Sequence, residues 1–129
     1  MITNFEEGVK HAITAVIKQG RASLDDNGCC MYRGNFNTCC IVGHMIDDEF
    51  YYEGLESNSS SSSEVEEVLV SQYGELSTNQ ILLLGRLQSI HDSLDKTHID
   101  NFVEEFKGII RLSNLIPKYC IEVLDNIKE

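Results

Sequence analysis

The sequence predicts a mainly α fold: a single compact domain of five or six helices carrying one small β-hairpin. Three observations predict it. Apolar residues recur at helical spacing through most of the chain. Most of those stretches open on a residue able to cap a helix. Only residues 29–40 read differently, as two short runs on either side of a turn. With 129 residues, 42% of them apolar, the chain has the size and composition of one domain with its own core.

Each element follows from its own residues. Thr3-Asn4-Phe5-Glu6 has the spacing of a capping box, with Thr3 as N-cap. Phe5, Val9, Ala12, Ile13 and Val16 then share one face, and Gly20 stands where a C-terminal cap belongs, giving a helix over 4–19. Asp25-Asp26-Asn27-Gly28 is a turn cluster. Cys29 to Arg33 and Phe36 to Cys40 flank Gly34-Asn35 as the expected hairpin. Thr38 is the expected cap of a short helix through Ile41, Val42, Met45 and Ile46. Phe50 to Leu55 reads as a loop or single turn against the core. The serine-rich residues 57–63 have nothing to bury and read as a flexible surface loop inside the domain. Glu64 to Tyr73 forms a helix with Val65, Val68 and Leu69 inward, closed by Gly74. Ser77 or Thr78 caps the next, about 79–94, with Leu83, Leu87, Ile90 and Leu94 along its face. Thr97 caps a stripe of Ile99, Phe102, Val103, Phe106, Ile109, Ile110 and Ser113. Pro117 suits the first turn of a last helix that turns Cys120, Val123, Leu124 and Ile127 inward.

Charge narrows the function. Ten basic against 21 acidic residues give a net charge of −11, which excludes general nucleic-acid binding through a basic face and disfavours an anionic membrane surface. The longest aliphatic run, Ile81 to Leu84, is far short of the ~20 residues that a membrane span needs. Early acids and no basic stretch at the N-terminus predict no signal peptide, hence a cytoplasmic protein with mostly reduced cysteines. The imbalance is local. Residues 34–85 hold nine acids and no Lys or Arg, whereas residues 1–33 are neutral and 86–129 carry −2. A field that one-sided favours a basic protein partner, with Asp47, Asp48, Glu49, Phe50, Tyr51, Tyr52 and Glu53 as the candidate contact residues. A solvated acidic face kept for solubility gives the same pattern.

Four of the five cysteines fall within twelve residues, as Cys29-Cys30 and Cys39-Cys40. A two-residue turn at Gly34-Asn35 pairs Cys30 with Cys39 and Cys29 with Cys40 on opposite faces, so four thiolates cannot meet one metal. A three-residue turn pairs Cys30 with Cys40 instead. Neither supplies the Cys-x-x-Cys hooks of a structural zinc site, and no cofactor is expected. Cys30, Cys40, His44 and His91 offer a mixed zinc site in principle, since His44 lies one helical turn after Cys40; small buried core thiols are the plainer reading. Cys39 or Cys40 at a helix N-terminus would have a lowered pKa, and His91-Asp92 would supply base and orienter. That makes Cys40 (or Cys30), His91 and Asp92 a candidate catalytic set. Against it, His91 sits one turn after Leu87, where a hydrogen-bonded boundary histidine is expected. No glycine-rich phosphate loop follows a strand.

The ordered pieces Cys30-Met31-Tyr32-Arg33, Cys40-Ile41-Val42-Gly43-His44-Met45-Ile46, Asp48-Glu49 and Leu84-Gly85-Arg86-Leu87-Gln88-Ser89-Ile90-His91-Asp92 carry a resemblance. Together they resemble a family of small, functionally unassigned proteins of bacteriophages and some bacterial genomes. Those proteins show Cys-x-Tyr-Arg, Cys-Ala-Val-Gly-x-Leu-Ile-Pro-Asp, an acidic Tyr/Glu-Gly stretch and Leu-Gln-x-x-His-Asp. The likeness spans about residues 5–113. It departs at Ile41, at Asp47, in the serine insertion, and in the second cysteines Cys29 and Cys39. The resemblance implies a phage or bacterial origin and no particular reaction. Cys30, Tyr32, Arg33, Gly43, His91 and Asp92 then read as structural, with Arg33 pairing Asp92 or Asp48, or as the lining of a pocket. The expectation is a non-enzymatic accessory protein that binds and modulates a basic host protein. The alternatives are a small thiol-dependent hydrolase and a nucleic-acid mimic.

Overall fold

A computed structural model describes residues 1–58, 62–94 and 100–127. Among them are six α-helices and one two-stranded antiparallel sheet, a compact mainly-α fold. Helix α1 (Phe5–Gln19) is capped by Asn4, whose side chain accepts the Glu7 N–H, rather than by Thr3. The cap lies one residue later than the capping-box spacing predicts. The other end is as expected: Gly20 takes a left-handed φ of +78°, and its N–H closes on the Val16 carbonyl. Val9, Ala12, Ile13 and Val16 are fully buried and form the centre of the core.

The hairpin is the element that sequence reasoning placed least well. β1 (Arg33–Gly34) pairs with β2 (Thr38–Cys39) in the register Arg33 to Cys39 and Gly34 to Thr38. The tight link Asn35–Asn37 is three residues long, with Phe36 and Asn37 both at positive φ. Both predicted registers are therefore overturned. Cys30 faces neither Cys39 nor Cys40 but forms an isolated bridge with Leu24. The turn at 25–28 holds this bridge in place: Asp25 Oδ1 accepts the N–H groups of Asn27 and Cys29, and Gly28 takes φ +81°.

Helix α2 (Ile41–Met45) is capped by Cys40, not Thr38, which lies in β2 and donates its hydroxyl to the Asn35 carbonyl. A 3-10 turn (Glu53–Ser57) follows, and then α3 (Ser63–Tyr73), capped by Ser62 and ended by Gly74 at φ +84°. Of the serine-rich stretch, Ser57 ends the 3-10 turn and Ser62 and Ser63 open α3; residues 59–61 lie outside the described residues. Helix α4 (Thr78–Ser93) begins in a full capping box between Ser77 and Gln80. Helix α5 (Phe102–Leu112) buries Phe102, Phe106 and Ile110, and α6 (Lys118–Asn126) buries Cys120 and Leu124 behind Pro117 at its N-cap. Thr97 and Ile99 lie outside the described residues. α1 packs on α2 and α6, α4 on α2 and α5, and α5 on α6. No helix among the described residues is long and apolar enough to cross a membrane.

Candidate functional site

The motif residues converge where the last turns of α4 meet the chain on either side of the hairpin. Spacing on α4 explains it. Leu84, Gln88 and His91 follow one another at steps of four and three, so two polar side chains continue an apolar stripe into the core. His91 is fully buried rather than at the boundary. Its Nε2 lies 3.0 Å from the Ser23 backbone N–H, which can only donate, so Nε2 accepts. The proton is thereby fixed on Nδ1, which donates to Asp92 Oδ1 at 2.8 Å. Gln88 makes a second bridge: Oε1 accepts the Val42 N–H at 3.3 Å, and Nε2 donates to Asp92 Oδ1 at 3.1 Å. One helix face thus ties α4 to the segment entering the hairpin and to the first turn of α2.

Glu56 makes the corresponding tie from the 3-10 turn. Its Oε1 accepts from Tyr32 N at 2.8 Å, while Oε2 accepts from Arg33 N at 3.0 Å and from the Tyr51 hydroxyl. Charge-assisted bonds to two successive backbone N–H groups pin the start of the hairpin. Arg33 pairs with Asp48 Oδ1 at 2.8 Å, not with Asp92, and its guanidinium lies 4.1 Å over the Tyr51 ring. Gly43 has a steric reason for being glycine: a Cβ there would lie 1.9 Å from the Tyr32 carbonyl oxygen. On the far side of α2, Gln19 accepts from Cys39 N at 2.9 Å and from His44 Nε2 at 2.9 Å, and donates to the Cys39 carbonyl. Burial, with His11, His91 and Arg33 contributing, lowers the His44 pKa to about 4, so it stands neutral.

This geometry redistributes the candidate residues. Cys40 caps α2 with Sγ 3.4 Å from Gly43 N, yet it is fully buried, and burial pushes its thiol up to about 12. Desolvation thus outweighs the five-residue helix, and the lowered pKa expected of a helix-terminal cysteine is overturned. Cys39 is also raised, again by burial first. Cys30 comes nearest to the predicted catalytic arrangement: its Sγ lies 3.9 Å from the Asp92 carbonyl, beside His91. Both His91 nitrogens are engaged, however, by Ser23 and Asp92, so the imidazole has no lone pair left to accept a thiol proton.

The predicted zinc ligands do not assemble as a set, because His44 packs against Gln19 and His11 on the other face of α2. Among the described residues, the group of ligand atoms within 4.8 Å of one another is Cys30, His91 and Asp92. Metal ligation by this set meets an obstacle at His91. Ligation through Nδ1 would move the ring proton to Nε2, where it would meet the Ser23 N–H head-on.

The acidic stretch also divides. Glu56, Phe50 and Tyr51 are half-buried, Glu56 tied to the hairpin backbone and Tyr51 beneath Arg33. Asp47 is half-buried as well, with its N–H held by Gln72 Oε1 at 2.8 Å. Asp48, Glu49, Tyr52 and Glu53 are exposed, as are Glu64, Glu66 and Glu67 at the start of α3. Gln19, Ser23 and Glu56 were given no site role by sequence reasoning, and Gln88 was named only as part of the Leu-Gln-x-x-His-Asp motif. Gln88 alone carried a signal, a polar residue inside an apolar stripe.

A pocket of about 180 Å³ opens between α4 and the 3-10 turn, lined by Cys30, Tyr32, Glu56, Gly85, Ser89 and Asp92 among others. No protein-family model matches the chain, and no curated protein or solved structure matches it either.

Proposed function

We propose that the protein is a non-enzymatic binding module, an accessory protein of the phage type its motifs resemble, that engages and modulates a basic host protein through its acidic face. The observation that carries this reading is the fate of the nine acids in residues 34–85. Glu56 is bound to the hairpin backbone and Asp48 holds Arg33, while Glu49, Glu53, Glu66 and Glu67 stay exposed and make no ion pair among the described residues. Tyr52, 48% exposed between Glu49 and Glu53, supplies an aromatic contact within that face. The chemical alternative has less support, since Cys40 is inaccessible and His91 has no nitrogen to spare.

The test is capture from bacterial lysate by the tagged protein at low and high salt, beside a Glu49→Lys/Glu53→Lys variant. One protein retained near stoichiometry at low salt, and lost both at high salt and by the variant, is the expected result. Retention that ignores salt and charge reversal, or no retained protein, overturns the reading. Competition by duplex DNA for the same partner would convert it to nucleic-acid mimicry.

A further inference from the structure

The pocket between α4 and the 3-10 turn is distinct from the exposed acidic face, although Glu56 joins the two. We infer that this pocket is a site for a single alkylammonium head group, a lysine side chain of the partner or a free polyamine. Among the described residues two carboxylates line it, Glu56 and Asp92, and no Lys or Arg does; Glu56 already accepts from Tyr32 N, Arg33 N and the Tyr51 hydroxyl, so the open contact falls to Asp92. Among the described residues the donors to the Asp92 side chain, His91 Nδ1 and Gln88 Nε2, converge on Oδ1, and the side chain remains 41% exposed. A cation placed there meets a carboxylate whose position is fixed before the ligand arrives, so little ordering cost remains to be met on binding. Ser89 adds a neutral acceptor of the kind that an ammonium with three N–H donors requires, and the Asn58 carbonyl, which already accepts the Tyr32 hydroxyl at 2.6 Å, keeps a second lone pair.

The floor of the pocket is a second, independent observation. Gly85 precedes Ser89 by one turn and Asp92 by two on the same face of α4. A helix interior disfavours glycine relative to alanine, and a Cβ at Gly85 would meet no atom within 4 Å. Gly108 in α5 is equally open, so lack of packing alone decides nothing; Gly85 differs in lining a cavity that holds two carboxylates. A missing side chain there lets an aliphatic stem lie against the helix backbone while its head reaches Asp92. The volume suits one slender chain and excludes a folded domain.

Only the choice of a partner lysine as the source rests on the proposed function; binding of the head group does not. The experiment titrates the isotope-labelled protein with n-butylammonium chloride, against sodium chloride at matched ionic strength, and follows backbone amide shifts. Saturable shifts confined to Gly85, Ser89, Asp92 and Cys30 are expected, and Gly85→Leu should weaken them at least tenfold while leaving the circular dichroism spectrum unchanged. Asp92→Asn should weaken them too, with Ser23 and His91 shifts reporting whether the buried histidine has moved. Spermidine binding more than tenfold tighter than butylammonium would assign the site to a free polyamine, and comparable binding would assign it to a lysine side chain. Shifts spread evenly over residues 47–53 and the start of α3, or reproduced by sodium chloride, would overturn the inference. So would a fully folded Gly85→Leu variant that binds as the natural protein does. A partner captured through the acidic face but indifferent to Gly85→Leu would separate the two readings, sparing the face and removing lysine insertion.

Discussion

Two regions of this molecule bury comparable side chains by different means. Around α5 and α6, Phe102, Phe106, Ile110 and Leu124 pack against the core with no side-chain hydrogen bond, and the Phe102 and Phe106 rings stack at 5.6 Å. Around the hairpin, short strands and a five-residue helix are held by side chains that replace regular ladders: Gln19, Arg33, Glu56, Gln88 and His91. Elements of two to five residues cannot satisfy their own backbone groups, so carboxylate, amide and imidazole atoms do it instead. Residue types usually read as chemistry are here structural parts. The first region specifies volume, and the second specifies atoms.

The largest expected effect comes from Gly43→Ala. The added Cβ would lie 1.9 Å from a backbone carbonyl, which has no rotamer to yield. We expect a loss of about 3 kcal/mol or more, at the top of the range for overpacking. Urea denaturation reads it directly. A cost below about 1 kcal/mol would show that the hairpin and α2 do not meet as described.

Volume-conserving exchanges sharpen the contrast. Ile110→Leu keeps the α5 site apolar and of the same size, and should cost less than about 1.5 kcal/mol. His91→Phe keeps a ring in place, but strands the buried Ser23 N–H, and should cost about 2–3 kcal/mol. Equal losses for the two variants would dissolve the distinction between the regions.

That distinction also explains what was legible in the sequence. Helices α1, α3, α4 and α6 were legible because apolar spacing and caps such as Ser77 and Gly20 are local signals. The helix-one cap slipped only from Thr3 to Asn4, since both residue types can accept the same N–H. The hairpin register was not legible. It is set by Asp25 closing the preceding turn, by positive φ at Phe36 and Asn37, and by Glu56 reaching back 24 positions to Tyr32 N. None of these leaves a periodic trace. For the site, His91 and Asp92 were found as a pair, but burial was not; it reversed the expected behaviour of Cys40 and removed His91 as a base. Desolvation depends on residues far away in sequence.

Titration supplies a prediction of intermediate size in the polar region. The folded His44 pKa is lowered to about 4, first by burial and then by His11, whereas the unfolded chain titrates near 6.5. Above pH 6.5 His44 is neutral in both states and its contribution is fully present. As pH falls toward 4, the unfolded chain takes up a proton that the folded protein resists, so stability is lost across that window. Discounting for partial exposure, about 2–3 kcal/mol is at stake. His44→Gln should flatten the difference in unfolding free energy between pH 6.5 and pH 4 relative to the natural protein. An unchanged slope would mean that the ring is hydrated and that the Gln19 contact is not maintained in solution.

The smallest expected effect lies outside both regions, on the exposed acids. Glu49 and Glu53 make no side-chain bond among the described residues, and Tyr52 between them is half open to solvent. Nothing in the fold depends on their charge. The Glu49→Lys/Glu53→Lys variant should therefore melt within about 2 °C of the natural protein. If anything, reversing two charges in a segment that carries nine acids and no bases should raise its Tm slightly by relieving repulsion. This thermal measurement gives the capture experiment its meaning. Lost binding in a variant that melts normally locates the contact on this face, whereas a Tm lowered by several degrees would make these glutamates part of the same structural economy as Glu56.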